Sequence, residues 1–132
     1  MSNKGVFGVF VCAHSRKRLD TACKELQQSF PGSVCIKQYL VRNLPFRRLI
    51  TREIKRKPGV RLIIIGNTNP RFGGQEAFEY LMMRSRRPLT SWGALDLRLA
   101  EETGSGEDLK EAVEFGLRSA KDEISKSLNK LN

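Results

Sequence analysis

The sequence is poor in the residues that build metal sites and disulfide scaffolds. Its 132 residues include one histidine, His14, and three cysteines, Cys12, Cys23 and Cys35. No two cysteines stand in a C-x-x-C spacing, which excludes zinc ribbons and dithiol redox motifs and leaves no metal site and no cofactor to expect. An odd, widely spaced set also excludes a disulfide framework, so the cysteines read as buried free thiols of a reducing compartment. Long apolar runs are missing. The stretch from Gly5 to Ala13 falls well short of the ~18 residues a spanning helix needs, and it lacks a signal-peptide layout. Repeats, low-complexity tracts and dividing linkers are absent too, so residues 1–132 read as a single domain. Hydrophobic residues make up 39% and charged residues 29%, which excludes a disordered chain and suits a folded one with a real core.

Acidic residues are the scarcest class relative to their counterpart: 14 Asp and Glu stand against 24 Lys and Arg, a formal net charge of +10. The imbalance is segregated. Residues 1–100 hold 19 basic and 6 acidic side chains, a net of +13, whereas residues 101–132 hold 5 and 8, a net of −3. Segregation of this kind points to an anionic partner rather than to general solubility.

What is present in abundance is periodic hydrophobicity. Val6 to Cys12 is a continuous β-branched and aromatic run, fit for a strand buried on both faces. Ser15 is placed to cap a helix over Arg16–Phe30, whose stripe is Leu19, Ala22, Cys23, Leu26 and Phe30. Pro31-Gly32-Ser33 stops it, and a second strand begins at Val34-Cys35-Ile36. Leu44-Pro45 opens a second helix with Phe46, Leu49, Ile50 and Ile54 on one side, ended by Lys57-Pro58-Gly59. Val60 to Ile65 is a third strand and Gly66 to Pro70 a turn cluster. A short helix is expected over Gln75–Met83. Leu95, Leu97 and Leu99 alternate with Asp96 and Arg98 as in a half-exposed strand. Ser105-Gly106-Glu107-Asp108 resembles a capping box before a final helix with Leu109, Val113, Leu117, Ala120 and Ile124 inward. The order predicts an α/β class fold, a single-domain α/β sandwich with a closing C-terminal helix.

The cations concentrate on particular elements. Residues 36–61 contain nine of them, Lys37, Arg42, Arg47, Arg48, Arg52, Lys55, Arg56, Lys57 and Arg61, with Glu53 the lone acid. On the second helix Arg48, Arg52 and Lys55 or Arg56 share a face, where like charges repel. Arg16, Lys17 and Arg18 sit at the start of the first helix, against its dipole but beside amides that suit a phosphate. Arg71, Arg84, Arg86 and Arg87 extend the set. The narrow apolar stripes are committed to a core, and no lipidation motif occurs, so a membrane surface is the weaker match. No helix-turn-helix, zinc-finger or RNP1 pattern supports sequence-specific readout, which leaves backbone contact with structured RNA.

Two other readings compete with RNA binding. Cys12-Ala13-His14-Ser15-Arg16-Lys17-Arg18 satisfies C-x5-R between a strand and a helix, the layout of a cysteine-dependent phosphatase loop, where a thiolate attacks bound phosphate. That loop has no glycine to wrap phosphate, and no Asp-Pro supplies an acid. A protein-interaction module is the other, with the acidic final helix holding a basic partner. His14-Ser15 has no further triad member, and Gly66 to Pro70 and Gly73-Gly74 match no nucleotide-binding fingerprint.

His14-Ser15-Arg16, Arg18-Leu19, Lys24-Glu25-Leu26 and Phe30-Pro31-Gly32 resemble the first turn and helix of the Brix-domain ribosome-biogenesis proteins. Val34 to Tyr39, Arg42 to Arg56, Val60 to Ile65 and Asn69-Pro70 are similar to the parts that follow, and Gly93 to Leu99 loosely to the late strand. The resemblance covers about residues 9–71. It departs at the first loop, about three residues short, and at Lys37-Gln38-Tyr39, where Asn-Arg-Gly is common. The chain is also short for a domain that resembles two similar α/β halves. The resemblance implies a Brix or anticodon-binding-like half that binds pre-ribosomal RNA during subunit assembly without catalysis. It implies rRNA or a pre-ribosomal particle as partner, with other assembly proteins, a monomer, and a cytoplasmic location (nucleolar in a eukaryote). The RNA-binding residues expected are Arg16, Lys17, Arg18, Arg47, Arg48, Arg52, Lys55, Arg56 and Arg71.

Overall fold

The computed structural model describes residues 5–38, 46–68, 89, 91–103 and 105–131. Strands β1 (Phe7–Cys12), β2 (Val34–Gln38), β3 (Leu62–Asn67) and β4 (Ser91–Asp96) form one sheet in the order β2-β3-β1-β4. All three pairings are parallel. Helices α1 (Arg16–Ser29), α2 (Phe46–Arg56), α3 (Arg98–Thr103) and α4 (Gly106–Lys130) complete the described elements. The α/β class is as the order of elements predicts. No helix among the described residues is long and apolar enough to cross a membrane.

The two central strands are buried along their whole length, as their unbroken apolar runs require of strands covered on both faces. Alternation then sorts their side chains into two layers. Phe7, Val9, Val11, Leu62 and Ile64 meet Leu19, Ala22, Cys23 and Leu26 of α1 and Val113, Leu117 and Ile124 of α4. Val6, Phe10, Ile63 and Ile65 meet Ile50 of α2, with Leu49, Ile54 and Trp92 against them. Thus α1 and α4 cover one face, α2 the other. Leu19 and Leu26 are fully enclosed, each contributing about 1.5–3 kcal/mol of burial. Lys121 of α4 donates to Glu25 of α1 at 2.8 Å and ties the two helices over the first face.

Helix α1 starts where its cap predicts: Ser15 accepts from the Arg18 amide at 3.2 Å. It ends at Ser29, and Gly32 at φ +89° makes the turn into β2, a conformation costly for residues with a Cβ. Helix α4 starts after Ser105, but the capping box does not close. The Ser105 hydroxyl bonds the Asp108 carboxylate at 3.0 Å instead of an amide.

The largest correction concerns the fourth strand. It runs over Ser91–Asp96, and Arg98 and Leu99 lie in α3. Leu97 is buried, but Leu99 is 68% exposed. Alternation across Leu95, Leu97 and Leu99 is therefore accidental beyond Asp96, whose carboxylate takes the Arg98 amide and turns the chain into a helix. The turn cluster expected over Gly66–Pro70 starts too early: Gly66 and Asn67 pair with Val11 and Cys12 and end β3, while Asn69-Pro70 and the helix expected over Gln75–Met83 lie outside the described residues.

Candidate nucleic-acid interface

The residues of α2 that face away from Ile50 are almost all basic. Arg48, Arg52, Lys55 and Arg56 are exposed, and together with Thr51 they line one open depression of about 640 Å³. The spacing explains the convergence. Positions 48, 52 and 56 recur at i, i+4 and i+8, so three guanidinium groups stack along about 12 Å of helix, with Lys55 beside the last. The helix has no acid in its first turn, while Lys55 and Arg56 in its last turn suit the dipole. Glu53 offsets little of this charge: it pairs with Arg56 at 3.5 Å, the Arg56 side chain remaining 65% exposed. Such a pair contributes at most ~1 kcal/mol.

The other cations of residues 36–61 divide into two kinds. Lys37 is held by Asp20 at 3.1 Å. Arg61 donates to the Leu128 carbonyl at 3.5 Å, in the last turn of α4. These two serve the packing of the fold. Lys57 is exposed just beyond α2. Arg42 and Arg71 lie outside the described residues, as does the side chain of Arg47.

Arg16, Lys17 and Arg18 occupy the first turn of α1, as the sequence predicts, with no acid among them. Arg16 and Lys17 are exposed and Arg18 half-buried. They do not join the α2 ridge. Helix α1 packs on the face shared with α4, and α2 on the opposite face, so the sheet separates the two basic groups. The three residues stand instead at the carboxyl edge of the sheet. There the Ala13 amide donates to Asn67 O at 3.2 Å and the Leu97 amide to Cys12 O at 2.8 Å. This edge also gathers buried Asn67 and Thr68 with Asp96 and Arg98. Sequence reasoning missed these polar groups, because Asn67 and Asp96 come to flank the end of β1 only through parallel pairing.

Cys12 does not meet the needs of a phosphatase nucleophile. It is the last residue of β1 and 1% exposed. Burial, and then the Asp96 carboxylate beside it, push its thiol from 9.0 up to about 12, against a smaller opposing effect of Arg98. A catalytic thiolate needs the reverse environment. Cys23 and Cys35 form a hydrogen-bonded thiol pair between α1 and β2. The bond, reinforced by burial, pushes the Cys23 thiol up. The same bond draws Cys35 down against its burial, helped by Lys37. All three cysteines are free.

Comparison with known proteins identifies no relative: no family model, curated protein or solved structure matches this chain.

Proposed function

We propose that this protein binds structured RNA through the phosphate backbone, using the exposed α2 ridge, and that it acts without catalysis as a ribosome-assembly factor. One observation carries the RNA-binding reading: Arg48, Arg52, Lys55 and Arg56 converge on a single depression with only Glu53 to offset them. Four cations along about 12 Å match a polyanion that presents a charge every ~3.4 Å per strand. The assembly role rests on the resemblance of residues 9–71 to Brix-domain proteins alone. Arg16, Lys17 and Arg18 form a second, separate contact at the head of α1.

The test is a salt titration of binding to a structured ribosomal RNA fragment. The four ridge contacts contribute about −2.8 to −3.6 to the slope of log affinity against log salt, and the head of α1 adds to it. The Arg48→Ala/Arg52→Ala/Arg56→Ala variant is expected to lose about three-quarters of the ridge's share of that slope. No binding at low salt, or an unchanged slope in the variant, refutes the ridge. Co-sedimentation with ribosomal-subunit precursors tests the assembly role separately.

A further inference from the structure

Helix α4 carries on its outer side the one large aromatic residue that the described fold leaves in solvent: Phe115 is 65% exposed. It forms the lip of an apolar slot of about 360 Å³ between α4 and strand β4. Phe7, Gly93 and Leu95 line it from the sheet, and Gly116 and Ala120 from the helix. Two glycines create it. Gly93 puts no side chain between Phe7 and solvent; a Cβ there would touch the Phe7 ring at 3.4 Å. Gly116 lets α4 approach Leu95, which a Cβ would meet at 3.3 Å. Because β4 is the edge of the described sheet, the slot opens sideways. Its volume is that of a site for one or two apolar side chains.

The surroundings have the opposite charge to the rest of the chain. From Gly106 to Phe115, α4 carries Glu107, Asp108, Glu111 and Glu114 against a single Lys110. Glu123 stands on the rim of the slot. On the other side of Phe115, Asp108 and Glu111 line a second depression, with Arg118 as its one cation. Glu107, Glu111, Glu114 and Glu123 are in no ion pair among the described residues. A nucleic acid is repelled from this stretch of α4, and a hydrophobic segment without charge leaves the carboxylates unused.

We infer that the slot between Phe115 and strand β4 docks a basic protein segment that inserts an apolar side chain beside Gly93 while its Lys or Arg residues pair with the acids of α4. The site lies on the α1/α4 face and the ridge on the α2 face, so a partner protein and a polyanion can be held at once. The inference does not depend on the ridge binding RNA.

The probe is a short fluorescein-labelled peptide with a central Leu-Phe-Leu flanked by lysines, titrated with the full chain and followed by anisotropy. Saturable binding is expected, with amide NMR shifts centred on Gly93 and Gly116. A peptide with serines at the centre, and one with glutamates at the flanks, are each expected to bind roughly tenfold more weakly or worse. Phe115→Glu and Glu111→Lys should weaken the lysine-flanked peptide to a similar degree. Both positions are exposed, so unchanged thermal melting serves as the control. Equal binding of either control peptide, unchanged binding by Phe115→Glu, or shifts mapping to α2 overturns the proposal. So does self-association of the chain that Phe115→Glu abolishes, which assigns the slot to a second copy.

Discussion

Asp96 and Arg98 grip each other by three hydrogen bonds across two residues of chain. The Arg98 amide and Nε donate to Oδ1 at 3.0 and 2.9 Å, and Nη2 donates to Oδ2 at 2.8 Å. The pair ends β4 and starts α3. Replacing Asp96 with Ala removes the cap and the two-pronged ion pair, and an equilibrium urea titration should show a loss of about 1–2 kcal/mol.

The same carboxyl predicts an acid dependence. Burial raises its pKa, but the side-chain and backbone hydrogen bonds from Arg98, with the charges of Arg98 and His14, outweigh it and hold the group below its usual 3.8. A depressed carboxyl contributes stability that is present above the unfolded value and lost as pH falls through the folded one. The stability gap between the native chain and Asp96→Ala should therefore be constant near neutrality and close below pH 3.8.

Gly66 marks a close approach in the middle of the fold. A Cβ at this position would stand 2.9 Å from Leu19 Cδ1 and 3.2 Å from Cys23 Sγ, both fully enclosed on α1. Gly66→Ala should cost about 1–3 kcal/mol through overpacking, measured by the shift in denaturation midpoint. Adding Leu19→Ala to make room should recover part of that loss, giving a double-mutant cycle with favourable coupling.

The three thiols should react in a fixed order. Cys35 is half-buried and drawn down by the hydrogen bond from Cys23, whereas Cys12 and Cys23 are buried and pushed up. Iodoacetamide at mildly alkaline pH, read by peptide mass mapping, should modify Cys35 first and the others only on unfolding. Cys12 also predicts alkaline sensitivity. Its raised value means that its share of stability is complete below pH 9.0 and is lost as pH rises towards 12. A Cys12→Ala chain should show a flatter alkaline limb.

The α2 ridge should trade stability for binding. Arg48, Arg52 and Arg56 repel one another at i, i+4 spacing, each contact costing about 0.2–0.5 kcal/mol. Arg52→Ala relieves both contacts, so its thermal midpoint should equal or slightly exceed that of the native chain while RNA affinity falls. A drop in both would mean that Arg52 supports the fold.

Several elements were legible because their signals are local. The runs at Val6–Cys12 and Leu62–Ile65, the stripe Leu19–Leu26 and the stripe Val113–Ile124 each follow from the period of one element. The Ser15 cap and the face shared by Arg48, Arg52 and Arg56 were legible for the same reason. The end of β4 was not, because a leucine alternation that extends into Leu99 looks the same whether or not Asp96 turns the chain. The slot at Phe115 was not legible either. A helical wheel places Phe115 off the buried stripe, but the slot beside it depends on Gly93, a residue on another element.

The amino-acid sequence by itself determined the α/β class, the inward stripes of α1, α2 and α4, and the concentration of positive charge on residues 36–61. These depend on side-chain chemistry at fixed helical and strand periods. Only the tertiary structure decided the order β2-β3-β1-β4 and with it the distribution of the charge. Parallel crossovers send α1 and α2 to opposite faces, so the basic group at the head of α1 and the basic ridge of α2 end up on opposite sides of the sheet. The net charge of +10 thus resolves into a cationic ridge on α2, a basic group at the head of α1 and an acidic stretch in the first half of α4, because the sheet sends α2 to the face opposite α1 and α4.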